Sequence, residues 1–225
     1  MAQMRVAVIG NIGSGKSSLC ERLVRKYGPD GARVVSEPVE QWQRSTILEA
    51  YYNVFLKRPA EDESRIMFQW FFQGKVLLDR LAEMKTAAES DAKMLIYDGH
   101  PISDEAFVQT YPKLAGLDIL AWYLEMQQRV LALGACEPDL LIYISSPPKM
   151  CFEQIGARGR AEERTLPLAL LEGLHAEYVK IFAAHSGVKV EINSDGESDP
   201  NEVAQIAAIA IKFAFARADL QGNGC

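Results

Sequence analysis

The feature that most constrains this chain is a glycine-rich loop close to its beginning. Residues 10–17 read G-N-I-G-S-G-K-S and match the pattern G-x-x-x-x-G-K-[S/T], in which backbone N–H groups surround phosphate oxygens. An apolar run, residues 6–9, precedes the loop and a helix-like stretch follows it, which is the order of strand, loop and helix that the pattern requires. A chance match arises in roughly 1 in 100 chains of this length. The loop therefore predicts a site for a nucleoside triphosphate.

Two side chains of this loop have distinct expected roles. Lys16 is expected to reach the β- and γ-phosphates, and the Ser17 hydroxyl is expected to ligate Mg²⁺. The predicted nucleotide-binding residues of the loop are Gly10, Asn11, Ile12, Gly13, Ser14, Gly15, Lys16, Ser17 and Ser18.

Composition limits the partners of the chain. The 225 residues are 48% hydrophobic, and no linker or repeat divides them, so we expect one domain over residues 1–219. A net charge of −6 without a long basic block argues against a nucleic-acid polymer as a partner. Four cysteines without a C-x-x-C spacing indicate free thiols in a reducing compartment.

Both ends of the chain carry expectations about location. The first residues enter a strand at once, so we expect no signal or transit peptide and a cytoplasmic protein. The apolar run 203–218 contains Gln205, Lys212 and Arg217 and has the spacing of a core-facing helix, so we expect no membrane contact. Residues 220–225 are expected to form a disordered tail.

Apolar runs of strand length alternate with longer helical patterns. The predicted strands are residues 5–9, 33–36, 93–97, 139–144 and 188–192, and the main predicted helices are residues 17–27, 64–89, 118–133, 149–154 and 168–185. Near-continuous apolar strands are typical of a parallel sheet that is buried on both faces. The alternation predicts a three-layer α/β fold with ligands at the carboxyl ends of the strands.

Two of these strands end in carboxylates. Glu37 follows the second strand, and Pro38 holds it extended, so Glu37 is either a general base for an acceptor hydroxyl or a surface turn residue, while Glu40 is expected to be solvated. Asp98 ends the third strand, where a carboxylate could help to hold Mg²⁺, although many strands end in Asp before a turn. His100 is expected to be structural.

Two other segments have both a structural and a functional interpretation. Arg158, Arg160 and Arg164 form either a solvated charged surface or a lid whose guanidinium groups close over phosphate oxygens. Gln69 lies in an aromatic-rich helical stretch and would be costly to bury unpaired, so its amide could bind a nucleobase between aromatic rings such as that of Phe72.

Taken in order, these segments resemble the deoxyribonucleoside kinase family, which includes deoxycytidine, deoxyguanosine and thymidine kinases. The stretches E-P-V-E-Q-W at 37–42 and R-G-R-A-E-E at 158–163 are similar to cellular members, whereas D-G-H-P at 98–101 is similar to the herpesviral thymidine kinases. A viral member would combine both. The resemblance implies a P-loop kinase fold with an Arg-containing lid, ATP and Mg²⁺ as cofactors, a homodimer, and, for a viral protein, the host cytoplasm.

The resemblance also implies an activity and roles for individual residues. The activity is ATP-dependent phosphorylation of the 5′-hydroxyl of a deoxyribonucleoside, with deoxycytidine and thymidine as leading substrates in nucleotide salvage. Glu37 would be the general base, assisted by Lys16 and the lid residues Arg158 and Arg160. The remaining implied contacts are Trp42, Gln69 and Asp104 to the base, Tyr52 and Glu163 to the sugar, Asp98 near Mg²⁺ and Asp195 near the donor adenine.

Three departures from the family qualify this assignment. Gly99 stands where the family has an arginine that contacts the 5′-oxygen, and Gln154 stands where some members have a lid arginine. Asp104 matches deoxycytidine and deoxyguanosine kinases, but its usual arginine partner maps to Val76. Two alternatives therefore remain, a kinase of nucleoside monophosphates or other small metabolites, and a nucleotide-binding module weakened by Gly99. If the missing arginine weakens the chain, Gly99→Arg would restore activity.

Overall fold

A five-stranded parallel sheet forms the centre of the protein. The computed structural model describes residues 3–59, 61–110, 119–133, 137–164, 166–196 and 198–221. The strands are β1 (Met4–Gly10), β2 (Ala32–Val35), β3 (Met94–Asp98), β4 (Leu140–Ser145) and β5 (Lys189–Asn193). They lie in the order β2-β3-β1-β4-β5, and every neighbouring pair is parallel. The predicted α/β fold with a five-stranded parallel sheet is confirmed.

Helices connect the strands and cover both faces of the sheet. In the described part of the chain they are α1 (Lys16–Tyr27), α2 (Val39–Arg44), α3 (Ile47–Lys57), α4 (Glu63–Ala88), α5 (Pro101–Gln109), α6 (Ile119–Ala132), α7 (Pro148–Arg158), α8 (Leu168–Ala184) and α9 (Pro200–Gln221), with a short 3₁₀ helix at Ala161–Glu163. Among the described residues, none of these helices has the length and apolar character needed to cross a membrane.

Alternation along the strands divides the core into two layers. Val6 and Val8 of β1 face one side, where they belong to the same buried cluster as residues of α1 and α9. Ala7 and Ile9 face the other side and share a cluster with residues of α3, α4, α5 and α8. Because side chains of a strand alternate between faces, β1 contributes to both layers. Both of its faces are buried, which explains its unbroken apolar sequence.

Three helices have no counterpart in the sequence predictions. Helices α2 and α3 begin without a side-chain cap hydrogen bond, although α3 follows Thr46, a residue type that favours the N-cap position, with Glu49 three residues later. The N-cap of α5 is His100, whose Nδ1 accepts from the N–H of Ile102 at 3.3 Å, and this residue type is not one of the preferred caps.

The carboxyl end of the chain differs in part from its prediction. Helix α9 continues to Gln221, so residues 220 and 221 are helical instead of belonging to the tail. Residues 222–225, which complete the predicted tail, lie outside the described residues.

Parallel strands place their carboxyl ends at one edge of the sheet. The glycine-rich loop follows β1, Glu37 follows β2, and Asp98 is the last residue of β3. Strand β1 pairs with β3, and β3 pairs with β2, so these three segments are neighbours in space although they are distant in sequence. The fold therefore brings the predicted phosphate loop and both predicted carboxylates to one crevice.

Candidate active site

A cavity of about 430 Å³ lies at this edge of the sheet. Its wall contains most of the predicted site residues: Ile12, Gly13, Lys16, Ser17, Glu37, Trp42, Tyr52, Phe72, Asp98, Asp104, Arg158, Arg160 and Glu163. It also contains residues that the sequence did not single out for a role, including Tyr51, Gln73, Arg80 and Tyr178. The predicted site residues that do not line it are Gln69, Asp195 and the loop residues Gly10, Asn11, Ser14, Gly15 and Ser18.

The glycine-rich loop has the geometry of an anion cradle. A Cβ on Gly13 would lie 2.6 Å from the carbonyl oxygen of Cys151, so no larger residue fits there, and Gly15 takes a φ of 90° at the start of α1. The Nζ of Lys16 donates to the carbonyl oxygens of Gly10 at 2.9 Å and Asn11 at 2.7 Å. The loop backbone and this ammonium group fit a polyphosphate at the N-terminus of α1.

Other loop residues have structural partners. The Asn11 amide donates to the carbonyl oxygen of Leu171 at 2.7 Å, and its Oδ1 accepts from the N–H of Ile12 at 2.9 Å. The hydroxyl of Ser14 is buried and has no hydrogen-bond partner among the described residues. A buried hydroxyl without a partner in this loop is consistent with a ligand oxygen as its natural partner.

Ser17 and Asp98 are neighbours in the cavity wall. The Ser17 side chain hydrogen-bonds to Asp98, and burial raises the pKa of Asp98 above its ordinary value although the nearby Lys16 charge lowers it. No group of three or more His, Cys, Asp or Glu side chains suited to a metal occurs within the described ranges. One hydroxyl and one carboxylate fit Mg²⁺, which usually takes few protein ligands and completes its shell with phosphates and water.

Glu37 and Arg80 form an ion pair in the cavity wall. The Nη2 of Arg80, on α4, donates to Oε1 of Glu37, which follows β2. The Glu37 side chain is one-third exposed, whereas that of Arg80 is almost fully buried. The carboxylate therefore remains accessible from the cavity while its cationic partner is held by the fold.

The arginine that pairs with Asp104 is Arg80, so the assignment of this partner to Val76 was wrong. The Nε of Arg80 donates to Oδ2 of Asp104 at 2.7 Å, and Nη2 donates to Oδ1 at 2.9 Å. This two-pronged contact is typical of arginine and carboxylate groups. Burial raises the pKa of Asp104 to about 6, an effect that the Arg80 charge opposes.

The space beside Gly99 is filled by the same guanidinium group. Gly99 has a φ of 85°, and a Cβ built on it would lie 2.8 Å from Nη2 and 2.9 Å from Nη1 of Arg80. Gly99 lies in the turn after β3 and has no side chain, and the Arg80 side chain from α4 fills the space beside it.

Gln73, and not Gln69, reaches the cavity. Gln69 is fully buried, lies outside the cavity wall, and neither of its amide atoms has a hydrogen-bond partner in the described parts of the chain. Gln73 lies one helical turn later on the same face of α4 and lines the cavity. The predicted base contact at Gln69 is thus not supported by its position, and a periodic helical pattern cannot separate two glutamines four residues apart.

Aromatic rings form part of the cavity wall. The ring of Tyr51 stacks on that of Phe72 with centroids 4.3 Å apart, and Trp42 meets Phe72 edge-on at 5.9 Å. The Trp42 indole N–H donates to Oδ2 of Asp79 at 2.6 Å, which fixes the ring. Burial raises the pKa of Tyr52 well above its ordinary value, so its hydroxyl stays protonated. These rings provide a flat apolar slot with a phenol group at its side.

The predicted lid brings two arginines and one glutamate together. Helix α7 ends at Gly159, which has a φ of 72°, and the chain then turns back over the cavity. Glu163 is buried and accepts from Nη2 of Arg158 and from Nη1 of Arg160, the latter at 3.2 Å. Arg164 is exposed and does not line the cavity.

Two further residues lie away from the cavity. His100 is fully buried and caps α5, and its N–H donates to the Ser103 hydroxyl at 3.0 Å, in agreement with the expected structural role. Asp195 is exposed beyond β5, where its Oδ1 accepts from the N–H and hydroxyl of Ser198.

Comparisons with known proteins give a consistent result. A model of the family "Deoxynucleoside kinase" matches residues 6–211. A probable deoxycytidine kinase of fowlpox virus is 26% identical over 93% of this chain and 87% of its own length, and a putative deoxynucleoside kinase of frog virus 3 is 26% identical over 78% of this chain and 80% of its own length. The solved structure of a deoxyadenosine kinase from M. mycoides, with dCMP and dCDP bound, has a TM-score of 0.72 at 21% identity and covers 93% of this chain and 99% of its own.

Proposed function

Because the chain belongs to the deoxynucleoside kinase family, we propose that it transfers the γ-phosphoryl group of ATP to the 5′-hydroxyl of a deoxyribonucleoside. One observation carries this proposal: a single cavity joins the phosphate loop and its Lys16 to a carboxylate, Glu37, and to an aromatic slot. A phosphate donor and a planar, sugar-linked acceptor fit the two ends of such a cavity.

Glu37 is the group we assign to the acceptor hydroxyl. As the 5′-oxygen forms a bond to the γ-phosphorus, the bond from that phosphorus to the oxygen shared with the β-phosphate breaks. The proton of the 5′-hydroxyl passes to the Glu37 carboxylate, and the products are a nucleoside 5′-monophosphate and ADP. A carboxylate within hydrogen-bond reach of the hydroxyl can both orient it and accept its proton.

The opposite end of the cavity would hold the triphosphate. Lys16 would exchange its contacts with the loop carbonyl oxygens for contacts with phosphate oxygens, and Arg158 and Arg160 would place two further charges over them. Ser17 and Asp98 would hold Mg²⁺, which when bound neutralises part of the phosphate charge.

We propose a preference for bases with an exocyclic amino group, with deoxycytidine as the leading substrate. Asp104 lines the cavity, and each of its two oxygens accepts one bond from Arg80, which leaves lone pairs for an amino N–H of the base. Gln73 offers both a donor and an acceptor on the same helix face. Thymine has a carbonyl group where cytosine has its amino group, and a carboxylate there repels it.

Tyr52 and Glu163 are the residues that we assign to the sugar. Both line the cavity on the side of the lid, and the Glu163 charge contributes to the raised pKa of Tyr52, after burial and the neighbouring Tyr51. A nucleoside analogue that lacks the sugar hydroxyl would leave these buried polar groups without a hydrogen-bond partner. Such an analogue should therefore be a poorer substrate.

A homodimer is also part of the proposal. The side chains of Phe71 and Leu78 on α4 and of Trp122 and Met126 on α6 are exposed, and the two helices pack against each other. Large apolar side chains clustered on neighbouring helices usually indicate a surface that is covered by another molecule. A second copy of this chain would bury this face by an isologous contact.

A kinase assay over the four common deoxynucleosides tests the proposed function. We expect turnover with ATP and Mg²⁺, highest kcat/KM for deoxycytidine, and loss of turnover in Glu37→Gln. Glu49→Gln is the matched control, because Glu49 is exposed on α3 and does not line the cavity. Absence of turnover for every nucleoside by the folded protein, or faster phosphorylation of nucleoside monophosphates, would refute the proposal.

A further inference from the structure

We propose that Arg80 supplies the positive charge at the acceptor end of the site, and that it does so by reaching from α4 into the space that Gly99 leaves open. Its Nη1 would donate to the 5′-oxygen of the bound nucleoside as that oxygen bonds to phosphorus. The inference rests on the phosphoryl transfer proposed above.

The positions of the cations explain why one is needed at this end. The cationic side chains that line the cavity within the described residues are Lys16, Arg80, Arg158 and Arg160. Lys16 lies in the phosphate loop, and both lid arginines contact Glu163. Arg80 is the cation that contacts Glu37, the proposed base. Negative charge that develops between the donor and the acceptor is stabilised by fixed cations on both sides of it.

The hydrogen bonds of Arg80 leave one donor group for a substrate. Its Nε donates to Asp104, and its Nη2 donates to both Asp104 and Glu37. Among the residues that the structure describes, its Nη1 makes a single long contact, of 3.5 Å, with the carbonyl oxygen of Asp98. Asp104 and Glu37 thus hold the guanidinium plane in a fixed position, and Nη1 remains the least engaged of its nitrogens.

Gly99 is what allows the guanidinium group to lie there. A Cβ at position 99 would lie 2.8 and 2.9 Å from the two Nη atoms, which is closer than carbon and nitrogen atoms approach without displacement. The φ of 85° at this residue also favours glycine. Gly99 and Arg80 therefore form one unit, in which the residue without a side chain makes room for a side chain from another element.

The charge of Arg80 persists at any pH at which the protein is folded. Burial alone lowers the pKa of Arg80, but the charges of Asp104 and Glu37 outweigh burial and raise it above its ordinary value. The role is therefore electrostatic and does not involve proton transfer.

Arg80→Met tests the role by separating kcat from nucleoside binding. We expect kcat at saturating nucleoside to fall by about 10²- to 10³-fold, the usual effect of removing one donor to a developing negative charge. The nucleoside Kd, measured by calorimetry, should change by less than about tenfold. Arg80→Met/Asp104→Asn removes the partner charge as well, so it keeps the test valid if the single variant folds poorly. Asp104→Asn alone should raise KM more than it lowers kcat.

Chemical rescue distinguishes a direct role from a structural one. In Arg80→Ala, added guanidinium chloride at millimolar concentration should restore part of kcat, whereas urea, which has the same shape without the charge, should not. If Arg80 only held Asp104 in place, its removal would mainly raise KM, and guanidinium chloride and urea would affect kcat of Arg80→Ala equally.

Gly99 variants test the shared space. Gly99→Ala should lower kcat in the wild-type background and have little further effect on kcat in Arg80→Met, because the displaced group is then absent. Gly99→Arg should also lower activity, the opposite of what the sequence comparison predicts. A folded Arg80→Met with kcat within threefold of the wild type, or activation by Gly99→Arg, would overturn this inference alone. A wild-type protein that phosphorylates no deoxynucleoside overturns the proposed function and this inference with it.

Discussion

Replacing Arg80 with methionine should destabilise the fold by about 3–5 kcal/mol, because it leaves the buried carboxylate of Asp104 without its partner. Asp104 is only 3% exposed, and the lost bonds are those at 2.7 and 2.9 Å. For a chain of this size, such a loss corresponds to a fall in Tm of about 6–20 °C. It is also a large part of the total stability of a typical domain, about 5–15 kcal/mol.

The second half of this prediction concerns the double variant Arg80→Met/Asp104→Leu. Two apolar side chains of similar size can fill the space of a buried ion pair at little cost, so we expect most of the stability to return. Glu37 also loses its partner in this variant, but its side chain is one-third exposed and can be hydrated. The coupling free energy between positions 80 and 104 should therefore be at least about 2 kcal/mol.

Urea unfolding followed by far-ultraviolet circular dichroism measures these quantities at pH 7.5 and again at pH 5.5. The deficit of Arg80→Met should shrink at the lower pH, because a lone Asp104 can take up a proton and lose its charge. The explanation would fail if Arg80→Met lowered the free energy of unfolding by less than about 1 kcal/mol. That value is the smallest loss expected when a buried polar group is left without its hydrogen-bond partner. It would also fail if the double variant lost the sum of the two single effects.

Three further predictions follow from other parts of the structure. Gln73→Leu should raise the KM for the nucleoside about 10-fold or more through loss of a base contact, whereas Gln69→Leu, the matched change one turn away, should leave KM within about threefold. Burial raises the pKa of Asp104 to about 6, so below that pH the folded protein is stabilised by the neutral carboxyl group, and this contribution is lost as pH rises through that value. The free energy of unfolding of the wild type relative to Asp104→Asn should therefore fall from pH 5 to pH 8, and an unchanged difference would contradict this. Leu78→Glu and Trp122→Glu should convert a dimer to a monomer in sedimentation equilibrium without unfolding it; an unchanged mass would refute the proposed interface.

The strands of the sheet could be predicted from the sequence because each one is indicated by the residues within it. Four of the five predicted strands are near-continuous apolar runs, and a parallel sheet that is buried on both faces requires such runs. Residues 39–57 and 101–109 could not be assigned in the same way. Their helices are short, and α2 and α3 lack a side-chain cap hydrogen bond, so their stability comes from packing on other elements.

Residues at the strand ends could be placed for a topological reason. Glu37 and Asp98 each follow a predicted strand, and the carboxyl ends of parallel strands meet at one edge whatever the side chains are. The same reasoning cannot reach Arg80, which lies in the middle of a 26-residue helix. Nothing in its local sequence distinguishes it from a solvated arginine, and only the packing of α4 against β2 and α5 reveals its partners.

Both differences within α4 correspond to one shift of register. The resemblance implies a base contact at Gln69 and places the family's arginine partner of Asp104 at Val76, whereas Gln73 lines the cavity and Arg80 pairs with Asp104, four residues later in both cases. Residues four apart share a helix face, so the hydrophobic pattern is the same in either register. They differ by about 6 Å along the helix axis, however, and only one of them can be level with the cavity. A single shift of four residues places Gln73 in the cavity wall and Arg80 in contact with both Asp104 and Glu37. The corrections at these two positions therefore support each other. The same register explains Gly99, which stands where the family has an arginine. With Arg80 in its observed position, its guanidinium group needs the space that a side chain at position 99 would fill.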